Sequence, residues 1–205
     1  ALRHVRAATP RLRVTVRSIE PGSAVAEIAS GGVDLALVDG IAGPDEPLSL
    51  TDSGLLSSSA LLVSPLAVVL AGNHPLAQRS SIDLDVLADA PWIATPGLAA
   101  IPVQPRPPAC RSDTTGPAGT EPPMGPAAVT YQGNDLPTLF ALVAAGHGAA
   151  LLPAPACHHV QGIAVVPLAA PQLVHRTEVL TLRGGSLRFR PLLEALRTVI
   201  KSMAT

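Results

Sequence analysis

The hydrophobic pattern of residues 139–153 changes from helical spacing to an unbroken apolar run. Apolar side chains recur from Leu139 to Leu142 and beyond at the intervals of one helix face, and Gly146 supplies a left-handed stop. The run over 149–152 is short and wholly apolar, which is typical of a buried strand. The pattern therefore predicts a helix, a tight turn and a strand, in that order.

A further strand is predicted just before this helix, over residues 128–131. Asn134 or Asp135 then suits the N-cap position, because a short polar side chain there accepts a hydrogen bond from the first helical turn. A strand, a helix and a second strand form the parallel βαβ unit.

The rest of the chain carries weaker versions of the same signals. Residues 11–19 alternate apolar side chains with arginine and threonine, which predicts a strand with one face exposed to solvent or to a partner. Residues 40–59 predict a loop with at most one short strand, and the proline-rich segment 98–124 predicts irregular or polyproline-like structure. The remaining predicted helices are 1–8, 24–30, 83–88 and 191–203, and the remaining predicted strands are 33–38, 61–71, 92–95, 163–167 and 177–182.

Composition favours an α/β fold. Hydrophobic residues make up 47% of the chain and aromatic residues only 2%, so the core consists of leucine, valine, alanine and isoleucine, as in sheets covered on both faces. The net charge of −1 lacks the excess of positive charge that is typical of nucleic-acid binding. The chain has only two cysteines, Cys110 and Cys157, and it shows no signal peptide and no long apolar run. We therefore expect a cytoplasmic, reduced protein without membrane contact.

Three segments, in order, resemble the effector-binding domain of LysR-type transcriptional regulators. They are IASGGVDLALV from Ile28, LAVVLAGNHPLA from Leu66 and LVAAGHGAALLP from Leu142. The segment 98–124 departs from the family pattern, which places a helix there.

The resemblance implies two Rossmann-like lobes with a ligand cleft between them, an arrangement like that of type 2 periplasmic binding proteins. Residues 1–62 and 168–205 would form lobe I and residues 63–167 lobe II, with hinge crossings near 61–65 and 165–169. Because such regulators begin with a helix-turn-helix, a linker helix and a first strand, we expect this chain to be the regulatory part of a longer protein. It would contact DNA only through that separate domain.

The resemblance also implies self-association. In the family, the helix predicted over 1–8 and the strand over 11–19 help to build a dimer or tetramer. From the sequence alone, an edge strand protected by its charges is an equally good interpretation of residues 11–19.

Candidate ligand contacts follow from a rule for open α/β sheets, in which ligands bind beyond the carboxyl ends of the strands. The rule excludes the Gly146-His147-Gly148 turn, which lies at the opposite edge and is predicted to serve packing. The resemblance supports most of the residues that the rule selects, since two of these loops align with ligand-contacting loops of the family. The predicted ligand-binding residues are Ser23, Thr95 with the following Pro96 and Gly97, and Gln132, Gly133 and Asn134.

Each candidate has a purely structural alternative. Ser23 and Asn134 could serve only as N-caps, Thr95 as a turn hydroxyl and Gln132 as a solvated loop residue. For the Cys157-His158-His159 run, an exposed helix end is favoured over a metal site, because no further ligand stands at a suitable spacing.

Three classes of function remain open to comparison. A two-lobed sensor of a small, anionic organic effector needs only that the ligand bind one conformation better than another. A periplasmic or extracytoplasmic substrate-binding protein of a transporter is the alternative, because that class shares the two-lobe plan. An enzyme is the least supported class, since none of the catalytic motifs sought was found. No cofactor and no metal are expected.

Overall fold

The structure is a computed structural model that describes residues 6–7, 13–19, 21–50, 54–95, 127–157, 160–185 and 189–203. By its internal contacts the chain divides into two compact units. Unit 1 comprises Ala1–Asp39, Leu48–Leu62 and Arg176–Thr205, and unit 2 comprises Gly40–Pro47 and Val63–His175. The sequence placed lobe boundaries at 62/63 and 167/168, and the assignment of two functional lobes stays a prediction.

The described residues form three α-helices and eight strands, as expected for an α/β protein. The helices are α1 (Ala24–Ala29), α2 (Leu136–Ala144) and α3 (Arg190–Met203). The strands are β1 (Ala36–Ala42), β2 (Leu56–Ala71), β3 (Ile82–Asp83), β4 (Trp92–Ala94), β5 (Ala127–Thr130), β6 (Ala150–Pro153), β7 (Ile163–Ala170) and β8 (Val174–Leu182).

In unit 1, α1 packs its apolar side on neighbouring strands, of which β8 lies between β1 and β2. Ala24 and Ile28 of α1 are buried against Val38 and Leu180 of the strands. Ser30 is the C-cap residue of α1, and Gly31 follows with a φ of +76°, the left-handed conformation that glycine adopts without strain. Gly31 therefore ends α1.

A carboxylate lies inside unit 1. Glu178 of β8 is 1% exposed and accepts hydrogen bonds from the backbone N–H of Leu48 at 3.1 Å, from Arg176 Nε at 2.6 Å and from the hydroxyl of Ser58. Burial alone raises the pKa of a carboxyl group, but these three donors outweigh it and hold the pKa of Glu178 below its ordinary value. The ionised carboxylate thus connects a loop residue with two strands.

Several sequence predictions for unit 1 are wrong in detail. Residues 13–19 form no strand in the structure, because alternation alone supplies no partner for their backbone hydrogen bonds. The strand predicted over 33–38 is Ala36–Ala42 instead, and the loop predicted over 40–59 contains the end of that strand and the first residues of β2. Of the helix predicted over 1–8, only Arg6 and Ala7 lie in the described residues, and both are helical.

In unit 2, the second half of β2 is deeply buried. From Leu66 to Leu70 it is at most 3% exposed, and it pairs antiparallel with β6 and β7, while β3 pairs parallel with β7. The sheet is therefore mixed rather than all parallel, although the predicted α/β class is confirmed.

The βαβ prediction is also confirmed. Helix α2 connects β5 to β6, and β4 lies between these two strands, pairing parallel with β5 and forming a parallel bridge to Ala149 at the start of β6. Leu139, Phe140 and Val143 of α2 are buried in a core cluster with Ile93 of β4. The helix predicted over 83–88 is a single 3₁₀ turn, Leu84–Leu87, and its N-cap residue Asp83 makes no side-chain capping bond.

Candidate functional site

Two of the predicted site segments of unit 2, Thr95 and the loop 132–134, lie at one edge of the sheet, where β4 and β5 end. Ala94 is paired with Thr130 in parallel register, and the backbone N–H of Tyr131 donates to the carbonyl of Ala94 at 2.8 Å. Thr95 and the loop 132–134 therefore continue from the carboxyl ends of two neighbouring parallel strands. This is the edge at which ligands bind in open α/β sheets.

Side chains at this edge differ in exposure. Thr95 is 5% exposed, so its hydroxyl is a buried polar group, whereas Gln132 and Asn134 are exposed and Gly133 is half-buried. Pro96 and Gly97, the other two residues predicted here, lie outside the described residues. The edge thus combines a buried hydroxyl with a solvent-facing loop.

The two ends of the loop are joined by a side-chain contact. The hydroxyl of Tyr131 donates to the carboxylate of Asp135, and the backbone N–H of Asp135 donates back to the Tyr131 hydroxyl oxygen at 3.4 Å. The tyrosine ring reaches Asp135 across Gly133, where a Cβ atom would overlap the ring and its hydroxyl. Gly133 is therefore required for the ring's position, a role that the sequence did not reveal.

Asp135 is the N-cap residue of α2. Its carboxylate accepts a hydrogen bond from the backbone N–H of Thr138 at 3.0 Å, so of the two capping candidates the structure selects Asp135 rather than Asn134. The Tyr131 hydroxyl, together with the N–H of Thr138, holds the pKa of Asp135 below its ordinary value. The same contact raises the pKa of Tyr131, because ionising the phenol would remove the proton that the carboxylate accepts.

Neither Tyr131 nor Asp135 was among the predicted ligand-binding residues. The sequence identified Asp135 only as a possible cap and placed Tyr131 at the end of a strand. A contact between a tyrosine and a carboxylate four residues later, across a glycine, has no local sequence signature.

Ser23 lies in unit 1, at the N-cap position of α1. Its backbone has helical angles, φ −90° and ψ −14°, and its side chain makes no capping hydrogen bond. The capping alternative for Ser23 is therefore wrong, because the 3₁₀ turn Pro21–Ser23 runs directly into the helix and leaves no extended cap residue. Ser23 is exposed, and its predicted ligand contact stays a prediction.

Of the glycines at 146 and 148, both predicted to serve packing, only Gly148 has close neighbours. Gly146 has a φ of +79° and ends α2, and Gly148 has a φ of +151° with its Cα against the backbone of Pro91 and Trp92. The His147 side chain is exposed between them. His74 also has a structural role, since its Nδ1 accepts from the backbone N–H of Leu76 at 3.2 Å.

Other chemical groups add little to this edge of unit 2. Within the described residues, no group of three histidine, cysteine, aspartate or glutamate side chains could hold a metal ion. Cys157 is buried, and His158 and His159 lie outside the described residues. A cavity of about 430 Å³ lies in unit 1, lined by residues that include Ile28, Val33 and Phe189 and by none of the predicted site residues.

The fold is that of a class, the α/β effector-binding domains that resemble type 2 periplasmic binding proteins. A family model described as the LysR substrate binding domain matches residues 1–203. The chain belongs to this family, whose members include the effector-binding domains of transcriptional regulators.

Solved structures support the same fold. The regulatory domain of a mutant OxyR from Pseudomonas aeruginosa is 19% identical with a TM-score of 0.68, and the alignment covers 99% of this chain and 89% of that one. The reduced form of OxyR is 20% identical with a TM-score of 0.70, covering 96% and 85%. The BenM effector binding domain with its effector benzoate is 18% identical with a TM-score of 0.66, covering 99% and 85%.

Among curated proteins, no sequence matches this chain. None of the helices that the structure describes has the length and apolar character needed to cross a membrane.

Proposed function

We propose that this chain is the effector-sensing domain of a LysR-type transcriptional regulator and that it binds a small, anionic organic molecule. The observation that carries the proposal is the meeting of Thr95 with the loop 132–134 at the carboxyl ends of β4 and β5. Backbone N–H groups and a hydroxyl at such an edge are hydrogen-bond donors suited to a carboxylate. Benzoate, the effector of BenM, is a molecule of this chemical class.

Regulation needs no chemistry at the site. An effector that binds one conformation of the domain better than another shifts the population toward that conformation. In this proposal the shift changes the arrangement of DNA-binding domains that belong to the same regulator but lie outside this chain. The assembly is a cytoplasmic homo-oligomer, for whose contacts the segments 1–8 and 11–19 are the candidates.

The alternative of a transporter substrate-binding protein is less well supported, because the family match covers residues 1–203 and is to a family of regulators. OxyR has been solved in an oxidised and a reduced form, but Cys157 does not support a redox-active thiol in this chain. That thiol is 3% exposed, and burial raises its pKa to about 11, so it is not the thiolate that oxidation requires.

Calorimetric titration with a panel of aromatic and aliphatic carboxylates tests the proposal. We expect at least one member to bind, and we expect Thr95→Val, which removes the hydroxyl but keeps the shape, to weaken that binding about tenfold. Thr181→Val is the matched control, since Thr181 is a buried threonine of unit 1 that was not predicted as a ligand contact. Absence of binding throughout the panel would contradict the proposed function.

A further inference from the structure

We propose that Asp135 determines which effectors this site accepts, and that the effector presents a hydrogen-bond donor, an ammonium or hydroxyl group, to its carboxylate. The inference rests on the proposed function and makes the ligand class narrower. The effector would be a small carboxylic acid that also carries an amino or hydroxyl group. Three features of the edge lead to this conclusion.

The first feature is that the N-terminus of α2 has few free backbone N–H groups that could bind a ligand's carboxylate. The N–H of Thr138, at the third helical position, donates to Asp135, and Pro137, at the second, has no N–H. The Asp135 carboxylate already places a negative charge where the helix dipole would attract an anion. A ligand's own carboxylate is therefore expected on the side of Thr95 and the loop, away from α2.

The second feature is the unused capacity of the Asp135 carboxylate. One of its oxygens accepts from the N–H of Thr138 and the other from the hydroxyl of Tyr131, and the Thr138 hydroxyl is a third donor, whereas an ionised carboxylate can accept roughly four hydrogen bonds. Asp135 is exposed, so a ligand group can approach without displacing either partner. A donor is favoured there and a second carboxylate is repelled.

The third feature is that the carboxylate has a defined position relative to the loop. Tyr131 follows β5 directly and bonds to β4 through its backbone, and its side chain crosses Gly133 to reach Asp135. The residues between these two ends are Gln132, Gly133 and Asn134, the predicted ligand contacts. A ligand that contacts this loop therefore lies beside a carboxylate whose direction is already set, which reduces the cost of ordering on binding.

Matched pairs of probes separate the donor's effect from that of the carboxylate. L-leucine is compared with isocaproate, L-phenylalanine with hydrocinnamate, and mandelate with phenylacetate, because each pair differs only in the amino or hydroxyl group. Affinities come from calorimetry, and the shift of the Thr138 amide resonance in NMR reports whether the probe is close to Asp135. We expect the donor-bearing member of at least one pair to bind about tenfold more tightly and to shift that resonance.

Asp135→Asn is the test variant, because asparagine still accepts at the N-cap while the charge is removed. The donor preference should fall to about threefold or less in this variant. Asp83→Asn is the matched control: Asp83 is also an exposed N-cap aspartate in unit 2, but its side chain makes no capping bond and it was not predicted as a ligand contact. The preference should be unchanged there.

The outcomes distinguish this inference from the proposed function. Equal or tighter binding of the members without a donor would overturn the inference and leave carboxylate sensing intact, as would a donor preference that survives in Asp135→Asn. Binding of none of the six probes, together with none of the carboxylate panel, would contradict the proposed function and the inference with it.

Discussion

Trp92 and Ala149 lie side by side in a parallel bridge, although they are far apart in the chain. The N–H of Ala149 donates to the carbonyl of Pro91 at 2.8 Å, and the N–H of Ile93 donates to the carbonyl of Ala149 at 2.8 Å. These two hydrogen bonds hold β4 against the start of β6. They therefore fix β4, the strand that precedes Thr95, within the βαβ unit that carries the loop 132–134.

Gly148 should be the most sensitive glycine of this region. A Cβ atom there would lie 2.9 Å from the carbonyl oxygen of Pro91, and the φ of +151° is itself unfavourable for alanine. We expect Gly148→Ala to lower the free energy of unfolding by about 2 kcal/mol or more in urea denaturation. Gly146→Ala is the control, because its φ is +79° but nothing lies within 4 Å, and about 1 kcal/mol is expected. Equal losses of unfolding free energy in the two variants would contradict the close approach of Gly148 to Pro91 as the cause.

Glu178→Gln should destabilise unit 1. The substitution removes the buried charge that accepts from Leu48, Ser58 and Arg176, and we expect a loss of about 3 kcal/mol in the free energy of unfolding. Glu194→Gln is the control, since its ion pair with Arg190 is exposed on both sides and should contribute about 0.5 kcal/mol or less.

The effect of Glu178 should depend on pH. Its pKa is lower in the folded protein than in the unfolded chain, so its contribution is complete above the ordinary carboxyl pKa and is lost as the pH falls through the folded value. The difference in unfolding free energy between the native protein and Glu178→Gln should therefore shrink in acid. A difference that grows as the pH falls would show that Glu178 is not held ionised.

Cys157 should react slowly with thiol reagents in the folded protein. Burial raises its pKa to about 11, and its Sγ lies 3.5 Å from the carbonyl oxygen of Pro153. In a Cys110→Ser variant, which leaves Cys157 as the single thiol, we expect slow labelling by an aromatic disulfide in buffer and fast labelling in urea. Labelling in buffer as fast as in urea would contradict the buried position.

Tyr131→Phe should raise the pKa of Asp135 toward its ordinary value. The tyrosine hydroxyl is the main cause of the lowered pKa, and the N–H of Thr138 remains as a second donor. Because the ionised cap stabilises α2 only above the folded pKa of Asp135, the cap of the variant should be lost at a higher pH than that of the native protein. Titration of the Asp135 carboxyl carbon by NMR measures its pKa in the native protein and in the variant. Identical midpoints would exclude the contact between Tyr131 and Asp135.

Local patterns were sufficient for the βαβ unit. Helical spacing from Leu139 onward, the capping side chain of Asp135 and the stop at Gly146 act over a few residues, so the sequence shows them directly. The run at 149–152 was assigned correctly to a strand for the same reason. The strand-end rule also placed Thr95 and the loop 132–134 at one edge, because parallel strands of one unit end together.

Strand pairing was harder to predict. Residues 13–19 have the alternation of a strand but no paired strand in the structure, and β1 begins three residues later than its apolar run suggested. Periodicity reports which face of a strand would be buried, but a strand also requires a neighbour for its hydrogen bonds, and that neighbour is distant in the chain.

The sequence by itself determined the class of fold, the order of its main elements and the family, because these depend on local periodicity and on short motifs. Only the tertiary structure decided that Tyr131 crosses Gly133 to reach Asp135, that Glu178 is surrounded by three donors and that β4 lies between β5 and β6. The physical reason is that side-chain direction and strand order depend on the packing of segments that do not adjoin in the sequence.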